Sequence, residues 1–359
     1  MPASVAETPL TAAPPARFRG LQYLVLLVLL SPLSGCYVLQ AARGQLEVMS
    51  RREPIQALIG RPDTPDPLRS RLQYVMEARQ FAVTELGLPD NESYRTYADL
   101  RRSFVVWNVF ATPEFSVEPR RWCFPIAGCV VYRGYFNENA ARRYARRLRT
   151  NGYDASVEGV AAYSTLGHFA DPVLNTMLKW SDAQLAATLF HELAHQVIYV
   201  AGDSEFNEAF ATVVEEEGVR RWLEQRGKSS DLIRWREQRA RATELSSLLL
   251  DTRERLRALY ASKLPRDEMR HRKHQLFGEL KFRYWQLKRK WNGYSGYDHF
   301  FDRALNNSNL VSVATYRGCL PQLRRELAAV DKNLPRFYER LRNLIDKDPR
   351  PGLCKRLAL

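Results

Sequence analysis

Thr188-Leu-Phe-His191-Glu192-Leu-Ala-His195-Gln-Val-Ile198 is the stretch on which the reading of this chain turns. Two histidines four residues apart lie on one face of a helix, one turn from each other. Their imidazoles can then reach one zinc ion at about 2.0–2.1 Å. Glu192, beside the first histidine, is placed to hold the attacking water, act as general base and carry the proton to the leaving amine. The flanking Leu189, Phe190, Leu193, Ala194, Val197 and Ile198 predict a buried helix. A buried helix carrying two histidines and a glutamate needs a partner for those groups. The plainer alternative is a pair of core histidines bonded to carbonyls.

A catalytic zinc takes three protein ligands and keeps one position open. Residues 203–217, Asp-Ser-Glu-Phe-Asn-Glu-Ala-Phe-Ala-Thr-Val-Val-Glu-Glu-Glu, predict a second helix. The short loop Tyr199–Ser204 lets it fold back on the first. Glu208, set among Phe206, Phe210 and Ala211, is the expected third ligand, with Glu205 one turn earlier as runner-up. Glu215–Glu217 read as a solvated run. Glu208 would make a His-His-Glu, gluzincin-type site. A Tyr or His donating to the developing oxyanion completes such a centre; Tyr316, Tyr297 and His299 are the candidates, with a structural role as the alternative for each. His168, His271 and His274 have weaker claims. Tyr163–Gly167 could serve as an edge strand for a peptide substrate, or be an ordinary connector.

The 359 residues suffice for one large domain or two modest ones, and 45% hydrophobic with 26% charged residues is a globular balance. The net charge of +14 comes from Arg and Lys spread along helices, as on a solvated face that tolerates anionic lipid. No nucleic-acid-binding motif is present. The expected fold is α+β and mainly α: a small mixed sheet packed on a zincin-like helical core, with long amphipathic helices C-terminal. Residues 69–88 are helical in pattern. Residues 103–110, 128–136 and 153–163 read as strands and 138–150 as a basic helix. Residues 215–290 read as long helices broken near Pro265, and a turn is expected at Asn306–Asn309.

The apolar run of residues 21–30, LQYLVLLVLL, follows Arg17 and Arg19 and leads to Leu33-Ser34-Gly35-Cys36. It reads as a secretory signal and is short for a membrane span. Leu-Ser-Gly-Cys resembles the bacterial lipobox, which implies acylation of Cys36 and attachment to the membrane through that lipid. Tyr37, in place of an Asp, favours the outer membrane of a Gram-negative envelope, with the catalytic domain in the periplasm. An uncleaved anchor or a soluble secreted chain are the alternatives. The expected organisation is a signal peptide at 1–35, a linker at 36–68 and a zinc-peptidase domain at 69–359, including a helical extension at about 219–296. Export brings oxidising conditions. Cys123 and Cys129 could close a local loop and Cys319 and Cys354 could tie down the C-terminus; free thiols are the alternative.

Taken together, residues 122–136 (WCFPIAGCVVYRGYF), Tyr163-Ser-Thr-Leu-Gly167 with Asp171-Pro172, Leu189-Phe-His-Glu-Leu-Ala-His-Gln196, Phe206-Asn-Glu-Ala-Phe-Ala211 and Asn306-Asn307 resemble the putative aminopeptidase family of proteobacterial lipoproteins, among the HExxH zinc peptidases. The resemblance spans most of the chain after residue 100. It implies His191, His195 and Glu208 as zinc ligands, Glu192 as base, and a peptide substrate. A different class of function is a non-enzymatic envelope lipoprotein that binds a partner through its long helices.

Overall fold

The computed structural model describes residues 32–124, 128–162, 164–165, 169–311, 319–348 and 350–357. The chain divides into two units, 1–46 and 47–359. The helices are α1 Pro32–Ser50, α2 Ile55–Gly60, α3 Asp66–Leu86, α4 Glu138–Thr150, α5 Asp182–Ala194, α6 Ser204–Gln225, α7 Ser229–Tyr260, α8 Arg266–Lys290, α9 Asp298–Phe301, α10 Leu320–Ala328, α11 Leu334–Lys347 and α12 Leu353–Arg356. Among the described residues no helix is long and apolar enough to cross a membrane.

The strands are β1 Arg52–Pro54, β2 Thr96–Ala98, β3 Val106–Pro113, β4 Trp122–Phe124, β5 Gly128–Val130, β6 Arg133–Tyr135, β7 Tyr153–Val160 and β8 Val173–Leu174. The fold is α+β and mainly helical, but its strands form three small sheets rather than one. The order β1-β2-β8 is mixed, antiparallel then parallel; β6-β3-β7 is antiparallel; β4-β5 is a hairpin. Residues 128–136 were expected as one strand. They split into β5, paired with β4, and β6, paired with β3. Cys123 and Cys129 face each other in the β4-β5 register and are joined by a disulfide. A second disulfide, Cys319–Cys354, is buried in the main core.

The main core is built round α5 and α6. Ser181 caps α5 by accepting from the Gln184 amide, and Asp203 caps α6 by accepting from the Phe206 amide. Small residues bring these helices close: Ala186, Ala187 and Ala194 on α5, and Ala209 and Ala211 on α6, are fully buried. At Gly218 a Cβ would stand 2.7 Å from Leu86 and 2.8 Å from Phe190, so only glycine fits between α3, α5 and α6. Polar ties fix α3 against both partners: the Tyr74 hydroxyl donates to the Asp182 carbonyl at 2.8 Å and accepts from the Trp222 indole at 2.8 Å. Within the expected 36–68 linker, β1 joins a sheet, and Ile55 and Leu58 of α2 lie in this core.

A second core lies between α7 and α8, from Leu245, Leu248, Leu249, Leu256, Phe277, Leu280 and Tyr284. Pro265 stands at the N-cap of α8, as the break near it predicts. The boundary expected near residue 219 falls inside α6, whose Val219, Trp222 and Leu223 are in the main core; the hairpin starts at Ser229. Lys273 of α8 is buried and donates to Asp154 of β7 at 2.7 Å and to the Glu114 carbonyl at 2.9 Å. Asn307, also buried, bonds Asp154, Glu114, Ser116 and the Tyr260 hydroxyl. These bonds hold the hairpin to the β6-β3-β7 sheet and give the Asn306-Asn307 pair a structural task.

Candidate metal centre

α5 ends at Ala194, and His195 is its C-cap, still in right-handed helical geometry. The two imidazoles therefore remain one turn apart, with ring centroids 4.9 Å apart and planes at 86°. Past His195 the chain turns into a loop that α6 grips. Asn207 accepts from the Val200 amide and donates to the Val200 carbonyl, each at 2.8 Å. Gln196 accepts from Asn91 at 2.6 Å, tying the end of the motif to the loop before β2. Glu208, next to the gripped Asn207, is thereby turned toward the histidines.

His191 Nε2 lies 3.3 Å from Glu208 Oε2, and His195 Nε2 lies 3.9 Å from Glu208 Oε1. Donor atoms of all three residues lie within 4.8 Å of one another, so the group could hold a metal ion. Among the described residues this is the one such group. Glu205, the runner-up, is exposed on α6 and is not part of it.

Electrostatics match that geometry. Burial alone would lower the His191 pKa, but hydrogen bonds with Glu208 and Glu215 outweigh it and push the imidazole up to about 10. The pocket thus favours a positive charge between its carboxylates. His195 is pushed down to about 4, first by burial and then by His191, so it presents a neutral ring. Among the described residues its Nδ1 is buried with no hydrogen-bond partner, an atom that calls for one. Burial shifts Glu208 up, but the bond with His191 prevails and holds its carboxyl below the usual range. Two imidazoles and one carboxylate form a donor set suited to zinc.

Glu192 is pushed up to about 7, chiefly by burial, with the charges of Glu208, Asp171 and Glu215 adding to the effect. That is the range in which a carboxylate can take and return a proton near neutral pH. Asp171 accepts from the Thr165 amide at 2.8 Å and hydroxyl at 2.9 Å, and from the Ser164 hydroxyl at 3.3 Å. Ser164 and Thr165 are therefore folded onto Asp171 and are not in a strand. The rest of the expected edge segment, residues 163, 166 and 167, lies outside the described residues, as do His168 and Tyr316.

The other oxyanion candidates are placed elsewhere. Tyr297 packs on Trp291 and Tyr294 beside the second core, and His299 is exposed on α9. His271 and His274 are exposed on α8. A phenol that the sequence does not single out is Tyr199, four residues after His195. It sits near enough to Glu208 that, after burial, the carboxylate charge raises its pKa.

The Glu215–Glu217 run needs correction, because only Glu216 keeps appreciable exposure. α6 is covered by α3, α5, α7 and α10 together, so two of the three side chains turn inward. Glu217 is held by Arg220 and Arg221 at 2.6 and 2.8 Å. Glu215 meets His191 Nδ1 at 3.0 Å. Two turns after Glu208, it grips the far side of the same ring and directs Nε2 toward Glu208, the usual arrangement round a metal-binding histidine.

No curated protein and no solved structure matches the chain. A comparison with known families matches residues 36–351 to the one described as Putative aminopeptidase. Most of its length is covered by that match, so the chain belongs to the putative aminopeptidase family, whose description makes it a peptidase.

Proposed function

We propose that this protein is a zinc-dependent peptidase, acting as an aminopeptidase, with His191, His195 and Glu208 as ligands and Glu192 as general base. The observation that carries the reading is the convergence of those three side chains within 4.8 Å, with Glu192 next to the first of them in the chain. A zinc ion held by His191, His195 and Glu208 would supply Lewis acidity to a substrate carbonyl and to water. Glu192 takes the proton from the attacking water and returns it to the leaving amine. Glu208 and the neutral His195 hold the centre, and Glu215 fixes the ring of His191. Tyr316 is proposed as the donor to the developing oxyanion, with Tyr199 beside Glu208 as the second phenol for that role.

The chain is further proposed to lose residues 1–35 and to be held by a lipid on Cys36 at the envelope of a Gram-negative bacterium, facing the periplasm. Its substrates are then peptides in that compartment. Elemental analysis of the purified chain beside Glu208→Ala tests the metal. About one zinc per chain, lost or much weakened in the variant, is expected. A wild type that takes up none after reconstitution at neutral pH overturns the reading.

A further inference from the structure

The hairpin of α7 and α8 has its own core, yet α7 does not begin there. Leu232 and Trp235, in its first two turns, are buried in the main core, whereas Leu245, Leu248, Leu249 and Leu256 belong to the second. Between those two sets stands Arg239. Its Nη1 lies 3.3 Å from Glu215 Oε1, and its Nη2 lies 3.4 Å from Glu216 Oε1. Its guanidinium carbon is 5.2 Å from the centroid of the Trp235 ring. Glu216 is also held by Arg324 of α10 at 2.8 Å. The other oxygen of Glu215, Oε2, is the one 3.0 Å from His191 Nδ1.

We infer that Arg239 is a positioning residue for the metal centre, acting through Glu215 on His191. This inference rests on the reading of His191 as a metal ligand. The physical case is one of directions. A glutamate on a helix has three rotatable bonds, and a single hydrogen bond to an imidazole leaves its carboxylate free to swing. Arg239 forms an ion pair with the second oxygen at 3.3 Å, and its planar group is itself seated on a buried indole. With both oxygens held, the carboxylate keeps one orientation, and so does the imidazole. The ring nitrogen that faces Glu208 and His195 is then held in place before any ion arrives, which lowers the ordering cost of binding. The helical hairpin thus contributes to the centre from outside it.

Zinc affinity and the visible spectrum of the cobalt-substituted protein test the inference, on the whole chain in detergent. The spectrum reports the ligand field, which a purely structural role for Arg239 would leave alone. Arg239→Met is compared with Arg236→Met, an exposed arginine on the same helix whose nearest carboxylate is Glu224 at 3.9 Å. Arg239→Met is expected to bind zinc about tenfold more weakly, the lower end for outer partners of a metal ligand, and to shift the cobalt bands. Arg236→Met is expected to match wild type in both. Arg239→Lys, which keeps charge and loses the fork, should fall between. Equal affinity and an unchanged spectrum in Arg239→Met overturn the inference. If Arg239→Met does not fold, Arg239→Lys decides, and wild-type behaviour in it overturns the inference. A wild type that binds neither zinc nor cobalt overturns the metal-centre reading itself, and this inference falls with it.

Discussion

α5 and α6 meet through alanine and glycine, whereas α7 and α8 meet through leucine and are rimmed by ion pairs such as Arg255–Glu279, Arg283–Asp251 and Lys290–Glu244. In the first pair, charged and titratable groups gather inside the contact at His191, His195, Glu208 and Glu215. In the second, polar groups are many and nearly all are at the surface, where each pair contributes about 0–1 kcal/mol. One region therefore uses close packing to hold a costly cluster of buried charge; the other uses a leucine seam that tolerates much change. The buried charge in the hairpin is Lys273, paired with Asp154, which attaches it to the sheet.

The sharpest separation of the two regions comes at Glu192. Glu192→Gln keeps the shape of α5 and removes the proton acceptor. Hydrolysis of a peptide substrate is expected to fall by about 10²–10⁴-fold, the usual contribution of a positioned acid–base group, with zinc content unchanged. Hydrolysis that survives at the wild-type rate would remove Glu192 as the base and place the proton acceptor on another residue.

Next in size is the attachment of the hairpin. Lys273→Met leaves Asp154 facing the Asn307 amide without its cation and removes the bond to the Glu114 carbonyl. Breaking a buried pair from one side costs about 3–5 kcal/mol, read as a lower urea midpoint. If the loss falls below about 1 kcal/mol, Lys273–Asp154 belongs with the surface pairs and the hairpin is held by its leucines alone.

What the sequence reveals follows from the range of the interactions. The His191–His195 spacing is local, so a helix with two imidazoles on one face could be read directly, and the small residues round Glu208 marked it as the return face. Glu215 was hidden because three consecutive glutamates look alike in sequence. Which two of them turn inward depends on the helices packed round α6, α7 among them, whose Arg239 lies more than twenty positions away. The sheets were only partly legible for a similar reason. β3 and β7 have enough alternating residues to announce themselves, whereas β1, β2 and β8 are two or three residues each and exist through pairing with one another. The Asn306-Asn307 pair signalled a turn but not its task, since the partners of Asn307 lie on three distant segments.

The smallest effects come from one substitution made in both regions. At Gly218 an alanine Cβ would stand 2.7 Å from Leu86 and 2.8 Å from Phe190, whereas at Gly278, in the middle of α8, nothing lies within 4 Å. Overpacking a well-filled contact costs about 1–3 kcal/mol, so Gly218→Ala should lower the thermal midpoint. It should also weaken zinc binding, because Phe190 adjoins His191 on the displaced helix. Gly278 is exposed on a helix, where alanine is favoured over glycine by about 1 kcal/mol, so Gly278→Ala should raise the midpoint and leave zinc affinity unchanged. Opposite signs for one methyl group would show that the α5–α6 contact is filled to its limit and the outer face of α8 is not. Equal signs would mean that α5 and α6 can move apart at little cost, and close packing could then no longer explain how the buried charges of the site are held.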